Sequence, residues 1–200
     1  GDITVKRSET DHMKIDDTEI GDVDVSGEGG GIVYVRSGNF YVDGGHVFAS
    51  TMGDQDSRGG IAVQFRGTAK FTNSILGAWT FGTGSGGSIL LQGHNISLSQ
   101  GSQVSSCAAK GSTGKPGNID LNVTGSVTIS GKNDSGYSSG LFTNTYGKGH
   151  AGNIEIDADK FLLYEEGTLS SQSRNDDQGY FPVNAVNINV TANEIKFDNS

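Results

Sequence analysis

The side chains in this chain best suited to chemistry are four histidines, one cysteine and several close pairs of carboxylates. Glycoside hydrolysis needs two carboxyl groups held a set distance apart across a cleft. A β-fold polysaccharide lyase would cluster aspartates around calcium with a basic residue beside them. The pairs on offer are Asp16/Asp17, Asp22/Asp24, Asp54/Asp56, Glu165/Glu166 and Asp176/Asp177. Most stand near glycine or asparagine, where aspartate is favoured because its side chain bonds the backbone of a turn. They share no column on adjacent repeats, so the expectation is solvated loops. His12, His46, His94 and His150 fall at unrelated points of their repeats. Neither a metal cluster nor a nucleophile triad follows from them, and each reads as a surface histidine. Gly82-Thr-Gly-Ser-Gly-Gly87 lacks the lysine and the following helix of a phosphate-binding loop. The calcium-binding nonapeptide Gly-Gly-x-Gly-x-Asp is missing. Asn-x-Ser/Thr occurs at Asn95, Asn122, Asn133 and Asn189, which a bacterial export route would make irrelevant to glycosylation. The sequence predicts no catalytic residue, no cofactor and no metal ligand.

The elements that would position any site come from a repeat. Its unit is clearest in Gly117-Asn118-Ile119-Asp120-Leu121-Asn122-Val123: a glycine, a small polar residue, then alternating apolar positions. Copies anchored on isoleucine stand at Ile3, Ile32, Ile61, Ile89, Ile119, Ile154 and Ile188, with Val5, Tyr34, Val63, Leu91, Leu121, Ile156 and Val190 two places on. Alternation marks a strand with one buried face, and self-similarity at this spacing marks a solenoid.

Two further apolar runs follow in each coil. One is Phe40/Val42, Ala69/Phe71, Ile96/Leu98, Val127/Ile129, Phe161/Leu163 and Ile195/Phe197; the other starts at Val47, Leu76, Val104, Leu141 and Leu169. Beyond the latter lie two columns of small residues, Ala49, Ala78, Ser106, Thr143, Ser171 and Thr51, Thr80, Ala108, Thr145, Ser173. Small side chains at matching heights fill a narrow interior corner without voids. Three short strands per turn, stacked in register at about 4.8 Å per coil, describe an all-β fold, a parallel β-helix of about seven coils. Residues 1–30 form an irregular first coil and 31–200 the regular ones, in one segment. Asn118, Asn153 and Asn187 occupy one corner and are expected to hydrogen-bond as a ladder. If the small columns point inward, their neighbours Phe48, Trp79, Phe81, Phe142 and Tyr146 point outward. This aromatic face suits stacking on sugar rings or binding a cell-surface protein.

Composition narrows the class. A net charge of −9 with no basic stripe argues against nucleic acid. Glycine, at 32 of 200 residues, clusters between alternating runs and reads as turn punctuation. Cys107 is alone, so a disulfide scaffold is excluded. No apolar run approaches the ~18 residues of a membrane span. The chain opens on a repeat-like strand, with no signal peptide, and reads as a piece of something longer.

The pattern Gly-Asn-Ile-x-Ile/Leu, an apolar pair, Gly101-Ser-Gln-Val-Ser-Ser106 or Gly167-Thr-Leu-Ser-Ser171, and a glycine-rich return loop resembles filamentous haemagglutinin-like exoproteins, the secreted partners of bacterial two-partner secretion. The match is good over about residues 86–198 and looser over 30–85. The resemblance implies a right-handed β-helix, export as an unfolded chain through an outer-membrane pore partner, and secretion or display on the bacterial cell surface. It also implies roles in adhesion or aggregation. The expected function is that of a non-enzymatic rod in a large adhesin. The alternatives are a polysaccharide-acting β-helix enzyme and a purely structural spacer.

Overall fold

The structure, a computed structural model, describes residues 1–6, 14–15, 18–19, 23–173 and 186–198. It is an all-β solenoid of parallel strands with about five complete turns, fewer than the seven starts in the sequence. Each turn presents three faces. The first carries Ile32–Ser37, Gly60–Phe65, Ser88–Gly93, Ile119–Val123 and the opening halves of Ile154–Tyr164 and Ile188–Asp198. The second carries Ile3–Lys6, Phe40–Asp43, Thr68–Thr72, Asn95–Ser99, Ser126–Ser130 and the closing halves of those two long strands. The third carries Val23–Asp24, His46–Phe48, Ile75–Gly77, Gln103–Ser105, Gly140–Phe142 and Thr168–Ser170. Ile61, Ile89, Ile119, Ile154 and Ile188 are consecutive partners in one parallel ladder. The core is a column of such residues, with Leu91, Leu98, Val104, Ile119 and Phe161 wholly buried.

Two starts are shifted relative to the sequence reading. Ile3 pairs with Phe40, so Ile3–Lys6 lies on the second face and is no copy of the first-face anchor. In the next turn Val33, not Ile32, aligns with Ile61. A slip of one residue turns every side chain to the opposite face of a strand. Ile32 and Tyr34 are accordingly 58% and 57% exposed, whereas Val33 is buried. The hydrophobicity of Ile32 and Tyr34 concealed the register, because Ile-Val-Tyr-Val offers apolar residues at both parities.

The glycines also do something other than punctuate turns. A Cβ on Gly117 would lie 2.3 Å from the Gly87 carbonyl oxygen, one on Gly152 would strike the Gly117 carbonyl, and one on Gly87 would sit 2.5 Å from the Gly60 Cα. Gly60, one place beyond this column, has a left-handed φ, +102°, and Gly87, Gly117 and Gly152 do not. The requirement at those three is close approach of successive backbones, not turn geometry. Facing that column across the narrow corner are the buried hydroxyls. Ser106 Oγ donates to the Gly87 carbonyl (2.9 Å) and accepts from Gly117 N–H (2.9 Å). Thr143 Oγ1 donates to the Gly152 carbonyl at 2.6 Å. The small residues fill the corner and also satisfy backbone groups that the corner would strand.

Side chains carry two more ladders. At the corner before the first face, Asn118 N–H donates to Ser88 Oγ, Asn153 N–H to Asn118 Oδ1 (3.0 Å) and Asn187 N–H to Asn153 Oδ1 (3.1 Å). Each rung runs from side chain to the next coil's backbone, not from amide to amide. At the corner before the second face, Asn39 Oδ1 accepts from Thr68 N–H and Asn95 Oδ1 from Ser126 N–H, both at 2.8 Å.

Candidate functional site

The carboxylate pairs do not assemble into a site among the described residues. Glu165 and Glu166 both have positive φ, 48° and 65°. They sit in the turn between second and third faces, stacked on the left-handed positions Gly131, Gln100 or Gly101, Asn73 and Gly44 of earlier coils. Glu166 pairs with exposed Lys132 at 2.7 Å. Asp56 Oδ1 accepts from Ser85 N–H at 2.7 Å, and that bond holds its carboxyl below the usual range. Asp54 is exposed and turn-bound. Asp16, Asp17, Asp22, Asp176, Asp177 and His12 lie outside the described residues. His94 is exposed and bonds Thr124 Oγ1, and His46 stacks on Phe48. No group of three His, Cys, Asp or Glu converges among the described residues. The segment 82–87 is a corner loop whose Gly82 and Gly84 press on the backbone of Gly53 and Gln55, with no helix after it.

The aromatic residues, in contrast, come together on the third face. The parallel register aligns three outward columns. The first is Phe48, Gly77, Ser105 and Phe142. The second, read from the neighbouring N–H to carbonyl bonds, is Trp79, Cys107 and Asn144. The third is Phe81, Ala109 and Tyr146, each directly after a bridge residue of the ladder Thr80–Ala108–Thr145. One coil therefore contributes only Ser105, Cys107 and Ala109, all small. The coil before it contributes Trp79 and Phe81, and the coil after it Phe142, Asn144 and Tyr146. Large residues on either side of a small-residue coil leave a slot of about 390 Å³ lined by all eight, together with Gln103, Ala108 and Tyr137.

Packing fixes the slot's near wall. Phe48 lies edge-on to Trp79, ring centroids 5.7 Å apart, and occupies the space that a Cβ on Gly77 would take. Trp79 and Phe81 sit 6.1 Å apart. The indole N–H donates to Ser105 Oγ at 2.9 Å, and that hydroxyl is 3.2 Å from Cys107 Sγ. Burial raises the Cys107 thiol above its usual range, against the opposing pull of Ser105 and the Asn144 backbone, so it forms part of the floor and reacts more slowly than an open thiol. Asn144 is buried, its Oδ1 accepting from Ser170 Oγ and Gln172 N–H. None of the lining residues carries a charge.

Phe48 supports the wall from behind, while Trp79, Phe81, Phe142 and Tyr146 line the slot itself. Tyr137 was missed by sequence reasoning. It is 64% exposed on a loop that lengthens the path from Ile129 to Leu141, where the previous coil needs only Leu98 to Val104. Asn133 Oδ1 folds that loop by accepting from Ser135 and Tyr137 N–H, and Lys132 bridges Ser138 to close it. The excess length of one coil was the available signal.

The fold and the slot define a parallel β-solenoid with an aromatic cleft across its third face. No family model, curated protein or solved structure matches the chain significantly. No helix among the described residues is long and apolar enough to cross a membrane.

Proposed function

We propose that the chain is a non-enzymatic rod segment of a large bacterial protein, secreted or held at the cell surface, that mediates adhesion or aggregation in the manner of filamentous haemagglutinin-like exoproteins. The observation that carries this reading is the aromatic slot. Trp79, Phe81, Phe142, Tyr146 and Tyr137 line an uncharged aromatic cleft of the kind that takes a ligand. Asp54, Asp56, Glu165 and Glu166 lie in turns and loops, and Asp120 and Glu155, which face each other on first-face strands, are no part of its lining. Export through an outer-membrane pore partner suits a chain with one cysteine, which no intrachain disulfide can lock before translocation. Coil-by-coil folding can then proceed by nearest-neighbour propagation. A stiff stack presenting weak contacts gains from multivalency, because each further contact forms at high effective concentration. The partner is a glycan or a protein on another cell, not nucleic acid.

The test is bead adhesion. Beads coated with the chain are scored for attachment to epithelial and bacterial cells, beside beads carrying Trp79→Ala with Phe81→Ala. Attachment that the double variant abolishes supports the reading. No attachment, or attachment unchanged in the variant, refutes it and leaves a spacer.

A further inference from the structure

We infer that the slot is a binding site for an uncharged saccharide, with one pyranose ring seated between the Trp79/Phe81 wall and the Phe142/Tyr146 wall. The inference rests on the adhesion reading above and names its ligand.

Width is the first argument. The two walls belong to coils separated by one intervening coil, so their strands are about 9.5 Å apart at the usual strand spacing. Carbon surfaces in contact need roughly 3.5–4 Å on each side. What remains accommodates a layer one ring thick and excludes a helix or a strand with its side chains. The floor stays open because Ser105, Cys107 and Ala109 are small.

Polarity is the second. A pyranose presents C–H faces and a perimeter of hydroxyls. The slot offers mainly apolar aromatic surface as walls, with the polar-tipped residues Gln103, Asn144, Tyr137 and Tyr146 among those lining it. With Asn144 Oδ1 already used twice inside the fold, its NH₂ is the group left to donate outward. An apolar or aromatic peptide side chain would gain the stacking but strand these polar groups, which is unfavourable on desolvation.

Charge is the third. An anionic glycan would meet no cation in the slot and a chain of net charge −9 around it. Preorganisation is the fourth. Trp79 is held by Ser105 and by Phe48, so its ring loses little freedom when a ligand docks.

The sequence supplies its own reporters. Trp79 is the only tryptophan and Cys107 the only cysteine, and both line the slot. The intact chain is titrated with cellotetraose, mannotetraose, galactotetraose and tetraacetylchitotetraose, reading Trp79 emission and the rate at which N-ethylmaleimide alkylates Cys107. Polygalacturonate and heparin are the charged comparators. The expected result is a saturable emission change with at least one neutral tetrasaccharide, and slower alkylation in its presence. Ala109→Phe, which fills the floor, abolishes both responses. Phe142→Ala, which removes one wall, weakens binding roughly tenfold, about the worth of one aromatic contact. Both variants are checked for an unchanged thermal transition. If the wild-type beads adhere to cells but none of the neutral probes changes emission, the saccharide assignment falls and adhesion stands. Tighter binding of either charged polymer, or a neutral response that Ala109→Phe leaves intact, overturns the assignment as well. Failure of both beads and sugars removes both readings.

Discussion

Replacing Gly117 with alanine tests the stacking logic of the whole solenoid. In an open strand this change is stabilising by about 0.4–1 kcal/mol, because alanine restricts the unfolded chain more than glycine does. Gly117 has no left-handed φ that would forbid the substitution. The structure nevertheless predicts the opposite sign. The new Cβ would lie 2.3 Å from the Gly87 oxygen and 2.4 Å from its carbon, and both atoms are backbone. Relief requires two coils to separate by about 1 Å, since non-bonded carbon contacts settle near 3.5 Å. That movement stretches Gly117 N–H to Ser106 Oγ (2.9 Å), Ile89 N–H to the Asn118 carbonyl (2.8 Å) and Asn118 N–H to Ser88 Oγ (3.1 Å). Overpacking costs about 1–3 kcal/mol and each weakened hydrogen bond up to about 1 kcal/mol, so a loss of roughly 3 kcal/mol is expected. Equilibrium urea unfolding measures it, with Gly27→Ala as the matched control. A Cβ on Gly27 meets nothing within 4 Å and its φ is not positive, so the control should be neutral or slightly stabilised. Equal midpoints for the two variants would refute the close-approach account of the glycine column.

The stacked register and its side-chain ladders carry three further expectations. Val33→Lys should destabilise strongly, by several kcal/mol for an unpaired charge forced inward, while Ile32→Lys stays within about 0.5 kcal/mol of the parent; comparable losses in a denaturation series would restore the isoleucine register. Asn153→Ala should cost about 0.5–1.5 kcal/mol by removing the acceptor for Asn187 N–H, and hydrogen exchange should show that amide losing protection. Asp120 lies opposite Glu155 on the next coil, and burial, then the Glu155 charge, raises its pKa above the ordinary aspartate value of 3.8. The folded state therefore binds the proton more tightly than the unfolded chain, so this residue's contribution to stability improves as pH falls from neutral through its folded pKa. Asp120→Asn should raise stability at neutral pH and remove that part of the pH dependence, as thermal melts across the acid range would register.

How much of this could be read from the chain depended on whether a feature was periodic. The buried columns were legible because alternation and repetition point the same way at Ile61, Ile89, Ile119 and Ile154. The paired small columns were legible for the same reason, since Thr51, Thr80, Ala108, Thr145 and Ser173 bridge in sequence order. Legibility failed where the pattern lost parity. Ile32-Val33-Tyr34-Val35 is apolar throughout, and only the Val33 pairing with Ile61 decides which side faces in. It failed again for glycine, whose absent side chain gives the same letter to a left-handed turn such as Gly44 and to a crowded contact such as Gly152.

The slot marks a different limit. The sequence supplies the aromatic residues and the outward parity of their columns, but a cleft is a property of three coils at once. Trp79, Cys107 and Asn144 are far apart in the chain and become adjacent only through register. What makes a cleft there is the smallness of Ser105, Cys107 and Ala109, a property that a search for reactive groups does not register. A repeat protein gains a site by omission: one coil that withholds its side chains between two that do not. The same reasoning explains why the flank need not be uniformly adhesive. Where Gly77 withholds a side chain, Phe48 of the preceding coil folds into the gap and closes it. Where the next coil carries only the small Ser105, its hydroxyl accepts from the Trp79 indole N–H of the preceding coil, and the cleft lies alongside that ring.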